Sequence, residues 1–237
     1  RLVQAILELK GLFIKVGQLI SILTNFLPAE FRAELEQLQD DVPARPLDEV
    51  TTRIRKELGK APEELFASFD PVPIASASLA QVHEARLHDG RRVAVKVQHA
   101  DIEIISRLDL EVLGGILELI QLFVRVRGLE SYHADIAQMI REELDFTQEA
   151  RNIATIEANF AGNSEIRFPV VVQELSSTRV LTTEFVEGIK VTDFAALEAQ
   201  RIDRPALARR ILTAYCQMVF EDGVFHADPH PGNTIVQ

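Results

Sequence analysis

The tightest constraint in the sequence is the run that closes it. An apolar segment, Ile211 to Phe220, stops at Asp222-Gly223, and the polar run His226-Ala227-Asp228-Pro229-His230-Pro231-Gly232-Asn233 follows. A short β-branched stretch then starts at Thr234. This order reads as helix, loop, strand. Proline fixes φ and glycine permits a turn, so the Asp, the Asn and the two His are held in one geometry. The plain alternative is a surface loop rich in Pro and Asn, and the upstream chain has to decide.

Taken in order, Leu2 to Phe26 reads as a helix whose apolar face is Leu12, Val16, Leu19, Ile20 and Leu23. Lys15 and Gln18 share another face, with Gly17 between them. An interior glycine costs a helix about 1 kcal/mol against alanine, which points to close packing or a ligand. Pro28 fits the first turn of a second helix, and a third runs from about Leu47 to Leu58, stopped by Gly59. Pro62 opens a short turn, and Pro71-Val72-Pro73 breaks the helical region. A small-residue stretch, Ala75-Ser76-Ala77-Ser78, leads into two strands, Val82–Leu87 and Arg91–Gln98, joined at Asp89-Gly90 as a hairpin. The period of two puts Val93, Val95 and Val97 on one face and Ala94, Lys96 and Gln98 on the other. Lys96 is thus a mid-strand lysine among valines: either a solvated edge residue or a compact charge for a phosphate.

A long amphipathic helix is expected from Asp101 to Arg127, with Gly114-Gly115 as a candidate break, and another from Ser131 to about Phe160. The second carries Glu142, Glu143, Asp145 and Glu149, a cluster that repels itself unless cations meet it. Pro169–Leu175 and Arg179–Phe185 read as strands, the latter running into a hinge-like Val186-Glu187-Gly188. Thr192 or Asp193 caps a short helix at Phe194–Ala199, and Arg204-Pro205 opens the helix to Phe220. The expected organisation is a helical extension over 1–70, a strand-bearing lobe with inserted helices over 71–187, and the start of a second lobe over 188–237.

Composition removes several classes of function. The formal charge is -11 and no Lys/Arg run exceeds two residues, so nucleic acid is excluded as a partner. The single cysteine, Cys216, lies in an apolar run and reads as a buried small hydrophobe in a reducing compartment such as cytosol. The most apolar long stretch, Leu108–Val126, still holds Glu111, Glu118 and Arg125 and is not a membrane span. No ligands stand at zinc-site spacing. Both ends look cut, one opening without Met and the other stopping inside a strand, so a fragment of a longer protein is expected.

Phosphoryl transfer needs a cation on the α/β-phosphates, a carboxylate to hold it, a covering loop, an Asp near the acceptor and a metal held by Asn and Asp. Lys96, then Glu143 or Glu149, then the hinge, then Asp228 and Asn233 arrive in that chain order. The five-residue separation of Asp228 and Asn233 equals that in the kinase catalytic loop H-R-D-x-x-x-x-N. The covering turn carries alanine and serine where ordinary kinases have glycine, and alanine enters positive φ only at a cost.

The motifs resemble those of the UbiB/ABC1/ADCK family of atypical protein-kinase-like proteins. Its K-x-G-Q is Lys15-Val16-Gly17-Gln18, and its alanine-rich loop is Ala75-Ser76-Ala77-Ser78. Its lysine strand is Val93–Gln98, and its E-x-D is Glu143-Leu144-Asp145. Its hinge is Glu184–Gly188, and its catalytic loop is His226–Asn233. The resemblance implies an α+β, protein-kinase-like fold of the ABC1/UbiB type with a helical N-terminal extension and a truncated C-terminal lobe. It implies ATP and Mg2+ as ligands, with Lys15 and Gln18 over the nucleotide and Ala75, Ser76, Ala77 and Ser78 covering it. Lys96 would meet its phosphates, and Glu184 and Val186 would lie at the hinge.

Catalytic roles would fall to Asp228, Lys96 and Glu143, and a metal to Asn233. Glu143 is the first choice as partner of Lys96, with Glu149 as rival; sequence does not separate them. The family supports isoprenoid-quinone biosynthesis or lipid homeostasis, so the acceptor is expected to be a small molecule, lipid or quinone precursor. The chain would then be cytoplasmic, peripheral to or anchored at a membrane through parts outside it. A second metal ligand, Asp-Phe-Gly or Asp-x-Gly, would follow Gln237. His226 is expected to brace the loop from inside, and His230 is a candidate to line the site. The alternatives are a nucleotide-binding pseudokinase that scaffolds a membrane-associated biosynthetic complex and, third, a phosphotransferase of the aminoglycoside or choline type.

Overall fold

The computed structural model describes residues 43–123, 129–227 and 231–237. The described chain up to Glu149, together with Val172–Thr182, forms one compact unit; Ala150–Val171 and Thr183–Gln237 form a second. The mixture of helices and sheet is the α+β class that the sequence implies.

The first unit is built on a sheet of four strands, β1 (Ser68–Ser76), β2 (Ala80–Arg86), β3 (Arg92–Gln98) and β4 (Val180–Glu184), in that order. β2 and β3 pair antiparallel, with Val82 opposite Lys96 and Ala85 opposite Val93. Their turn closes where Gly90 takes φ 90°, a conformation an L side chain rarely tolerates. The expected alternation holds: Val93, Val95 and Val97 are buried. They pack with Val180 and Phe66, and with Val50 and Ile54 of helix α1 (Leu47–Leu58). Fully burying one such side chain contributes roughly 1.5–3 kcal/mol, so this valine face fixes the register of β3. α1, expected within a separate extension, therefore shares the core of the sheet. A four-residue helix α2 (Pro62–Leu65) leads from it to β1.

The helical region ends before Pro71-Val72-Pro73, but these residues lie within a strand and not in a break. Both prolines lie in β1, an edge strand whose register shifts twice, between Phe69 and Pro73 and between Pro73 and Ala75. An edge strand tolerates the missing N–H, and the irregularities absorb the fixed φ. Helix α3 (Ile102–Phe123) runs unbroken through Gly114-Gly115, so the candidate break there does not form. The helix expected from Ser131 to Phe160 is instead two, α4 (Leu129–Glu143) and α5 (Phe146–Asn159). Pro169–Leu175 is not a strand: it makes one bridge, Val171 to Thr183, and a 3-10 turn at Gln173–Leu175.

The second unit packs Ile156 and Phe160 of α5 against Ala214 and Met218, with Ile166, Phe168, Tyr215 and Val224 around them. The Phe160 and Phe168 rings meet edge to face at 5.5 Å. Helix α6 (Phe194–Ala199) is capped by Asp193, and α7 (Arg204–Cys216) by Asp203, whose carboxylate accepts from the Ala206 N–H. α7 continues as a π-helical turn, Gln217–Asp222, and ends where Gly223 takes φ 68°. Cys216 is exposed, not buried as expected. Ala214 and Met218 are the residues this segment turns inward, whereas Leu212, Val219 and Phe220 face outward with the cysteine. The strand expected at Thr234 forms as β6 (Ile235–Val236), antiparallel to β5 (Ile189–Lys190). No helix among the described residues is long and apolar enough to cross a membrane.

Candidate functional site

Lys96 is half-buried at the centre of β3, on the face opposite the valine core. Its Nζ lies 2.6 Å from Oε2 of Glu149 and 4.6 Å from the ring centroid of Phe146. The two charged side chains are 34% and 40% exposed. Ion pairs this open contribute only about 0–1 kcal/mol, so the pair is poorly explained as a stabilising device. Its arrangement suits a cation kept aimed for an anion. Of the two carboxylates that the sequence offered, Glu143 as first choice and Glu149 as rival, the structure pairs Lys96 with Glu149. Glu143 is the last residue of α4, and Glu149 lies in the first turn of α5, so the helix break separates the two carboxylates.

Residues 144–146 hold that break. The Leu144 carbonyl accepts from Gln98 Nε2 at 2.9 Å, and the Phe146 N–H donates to the Thr178 carbonyl at 2.9 Å. Asp145 Oδ1 accepts from the Thr147 N–H at 2.9 Å and from its hydroxyl at 2.6 Å. Asp145 is therefore the N-cap of α5, a role worth about 1 kcal/mol. The sequence carried the signal, because Asp145-Phe146-Thr147-Gln148 fits the spacing of a capping box. Phe146 and Gln98, both almost fully buried, were not singled out from sequence.

The alanine-rich segment divides in two. Ala75 and Ser76 finish β1, Ser76 opposite Gln81, and the Ala77 N–H donates to the Ala80 carbonyl, which leaves Ser78 and Leu79 at a tight hairpin tip. No residue here has positive φ, so the turn closes without glycine. His99 ties it down: its N–H donates to the Leu79 carbonyl and its Nε2 to the Ala77 carbonyl, both at 2.9 Å. Burial pushes the His99 imidazole below its ordinary pKa, opposed by its bond to Ala77. Arg53 of α1, 5% exposed, donates in turn to the His99 and Ala100 carbonyls at 3.0 and 2.9 Å. Arg53 and His99 were also missed from sequence, since only the fold brings them to the turn.

Beside this lies a second buried chain of hydrogen bonds. The Asp70 carbonyl can only accept, so His83 Nδ1 carries the proton and donates to it at 2.8 Å. His83 Nε2 then accepts from Gln81 Nε2 at 2.9 Å, and Gln81 Oε1 accepts from the Arg45 N–H at 2.7 Å. Burial likewise pushes His83 below its ordinary pKa, against the pull of Asp70. Arg45 clamps Asp101 with 3.0 and 3.1 Å contacts.

In the second unit, Glu184 pairs with Arg167 at 2.6 Å through Oε1, and its Oε2 has no hydrogen-bond partner among the described residues. Val186 is half-buried. Gly188 sits so close to β6 that an added Cβ would overlap the Ile235 side chain and the Val236 carbonyl. Asn233 ends the 3-10 turn Pro231–Asn233 and is exposed. His226 is exposed rather than turned inward as expected. Lys15, Gln18, Asp228 and His230 lie outside the described residues. Among the described residues no group of three or more His, Cys, Asp or Glu is arranged to hold a metal.

Residues 37–237 match the ABC1 atypical kinase-like domain. The chain is 40% identical over 98% of its length to sll1770 of Synechocystis, and spans 40% of that protein. It is 38% identical over its whole length to AarF domain-containing kinase 1 of Drosophila melanogaster, spanning 46% of it. Among solved structures it resembles Rv3197 of Mycobacterium tuberculosis, determined in complex with erythromycin. That likeness has a TM-score of 0.62 at 30% identity and covers 97% of this chain and 58% of the other. The chain thus spans less than half the length of these two curated relatives.

Proposed function

Because this chain belongs to the ABC1 atypical kinase-like family, we propose that it carries part of an ATP–Mg2+ site of an atypical kinase or ATPase. The observation that carries the reading is the Lys96–Glu149 pair. A mid-strand lysine is held by a carboxylate from the helix that follows, at an exposure where the pair contributes little to stability.

The residues present fit such a ligand. Lys96 would meet the α/β-phosphates, and Ala75 to Ser78 would cover them. Ser76 Oγ, at the end of β1, and Gln98 Oε1, beside the Lys96 strand centre, are buried without partners among the described residues. By the motif match alone, Glu184 and Val186 would serve at the hinge, Lys15 and Gln18 would lie over the nucleotide, Asn233 would hold metal, and Asp228 would take the acceptor's proton. Bound magnesium would neutralise charge developing on the phosphates.

The acceptor we propose is a small molecule, lipid or quinone precursor, with the whole protein working at a membrane in quinone biosynthesis or lipid homeostasis. Calorimetric titration with ATP and with ADP, each with and without magnesium, tests the site. Magnesium-dependent binding that weakens in Lys96→Ala supports it, and absence of binding in the folded full-length protein overturns it. Binding without turnover in that protein, unchanged by Asp228→Asn, would identify the pseudokinase scaffold instead.

A further inference from the structure

We infer that Asp145 and Gln98 are positioning residues: they hold the break between α4 and α5 and thereby make Glu149, rather than Glu143, the partner of Lys96. The inference rests on the reading that Lys96 serves a nucleotide phosphate.

Glu143 and Glu149 are six residues apart. On one continuous helix they would be rotated by about 240° from each other, so only one could face β3. The sequence between them has the apolar spacing of a helix that continues. Four hydrogen bonds hold the break instead, two of them accepted by Asp145. Gln98 lies two residues beyond Lys96 on the same face of β3, is 1% exposed, and donates to the Leu144 carbonyl. Asp145 turns its carboxylate onto the Thr147 N–H and hydroxyl, which starts a new helix at Phe146. The Phe146 N–H, left without an intrahelical acceptor at that start, donates to Thr178 ahead of β4. Phe146 is 2% exposed, and its ring lies against the Lys96 ammonium.

With the start of α5 fixed, Glu149 falls one turn along and reaches Lys96 at 2.6 Å. The strand that bears the lysine therefore also bears the residue that sets its partner. Neither Asp145 nor Gln98 touches Lys96 in any hydrogen bond, so both act through Glu149.

The test is the rate at which Lys96 is acylated by limiting acetic anhydride in the full chain, resolved by mass spectrometry, beside the affinity for Mg–ATP. The ammonium engaged by Glu149 and covered by Phe146 reacts slowly, and Lys56, Lys60 and Lys190 serve as internal references. Asp145→Ala should raise the Lys96 rate about fivefold, to that of Glu149→Gln, and should add nothing in the Glu149→Gln background. Asp145→Asn can still cap and should restore the slow rate. Gln98→Leu should behave as Asp145→Ala, and Glu143→Gln as the unaltered protein.

General unfolding would also strip protection from the β2 and β3 amides, read by hydrogen exchange in the same samples, whereas the inference requires the Lys96 rate to change in Gln98→Leu with that protection kept. An unaltered Lys96 rate in both Asp145→Ala and Gln98→Leu, or effects additive with Glu149→Gln, would overturn it. If the acylation pattern holds and Mg–ATP does not bind, the nucleotide reading fails and the positioning roles stand. If Mg–ATP binds and the pattern fails, the reverse follows.

Discussion

Glu149 Oε2 lies 2.6 Å from Lys96 Nζ across a helix start and a strand centre that are 53 residues apart in the chain. Both side chains are partly open to solvent, and their placement rests on four hydrogen bonds around residues 144–147.

Lys96→Ala and Glu149→Gln should therefore change stability by less than about 1 kcal/mol in denaturant titration. Each should weaken magnesium–nucleotide binding by about tenfold, the loss expected for one charge-assisted contact of about 1.4 kcal/mol. Equal nucleotide affinity in the unaltered protein and Lys96→Ala would remove Lys96 from the site.

Gly188→Ala should unpair β5 from β6, because the new methyl overlaps the Val236 carbonyl as well as the Ile235 side chain. The expected cost is about 1–3 kcal/mol. Hydrogen exchange checks it: the Val191 amide, which donates to the Thr234 carbonyl, should lose protection. Retained protection would show that the two strands accommodate the methyl and keep their pairing.

His83 and His99 should make the first unit less stable in mild acid. Burial lowers both pKa values in the folded state, so the unfolded chain binds more protons near their ordinary values. Their contribution is complete above the unfolded pKa of about 6.5 and is lost as pH falls through that value towards the folded one. Between those limits, stability should fall with a slope approaching about 1.4 kcal/mol per pH unit for each histidine. Denaturant titrations from pH 8 to pH 5 measure the slope. A flat profile would mean that neither ring is held neutral.

Arg53→Met should cost on the order of 3 kcal/mol, since it strips the donors from the His99 and Ala100 carbonyls and removes one of the two arginines that Glu57 and Glu103 share. The amides of Ala77 and His99 should exchange faster as the hairpin tip loosens. Unchanged exchange there would separate Arg53 from the turn.

Much of this was readable in the residues themselves. The valine alternation gave β3 and its buried face, Asp89-Gly90 gave the hairpin, and Asp222-Gly223 ended the last helix, because each depends on neighbours in sequence. The partner of Lys96 was not readable in the same way. The α4–α5 junction is decided by Gln98 and Thr178, which are remote in sequence, although the Asp145 capping pattern was a local clue. Pro71 and Pro73 misled because an edge strand and a chain break ask the same thing of proline. Cys216 misled because an apolar segment does not reveal which of its sides the fold will use.

The two compact units are each made of two separate stretches: the chain leaves the first after Glu149, returns for Val172–Thr182, and leaves again. β4 and α5 each run from one unit into the other. No single cut releases either unit intact. A protease that opened the chain at Gly162 would leave the first unit's returning strand on the other fragment. The two fragments would then be tied only by non-covalent pairing, β4 beside β3 in the first unit and α5 against Ala214 and Met218 in the second.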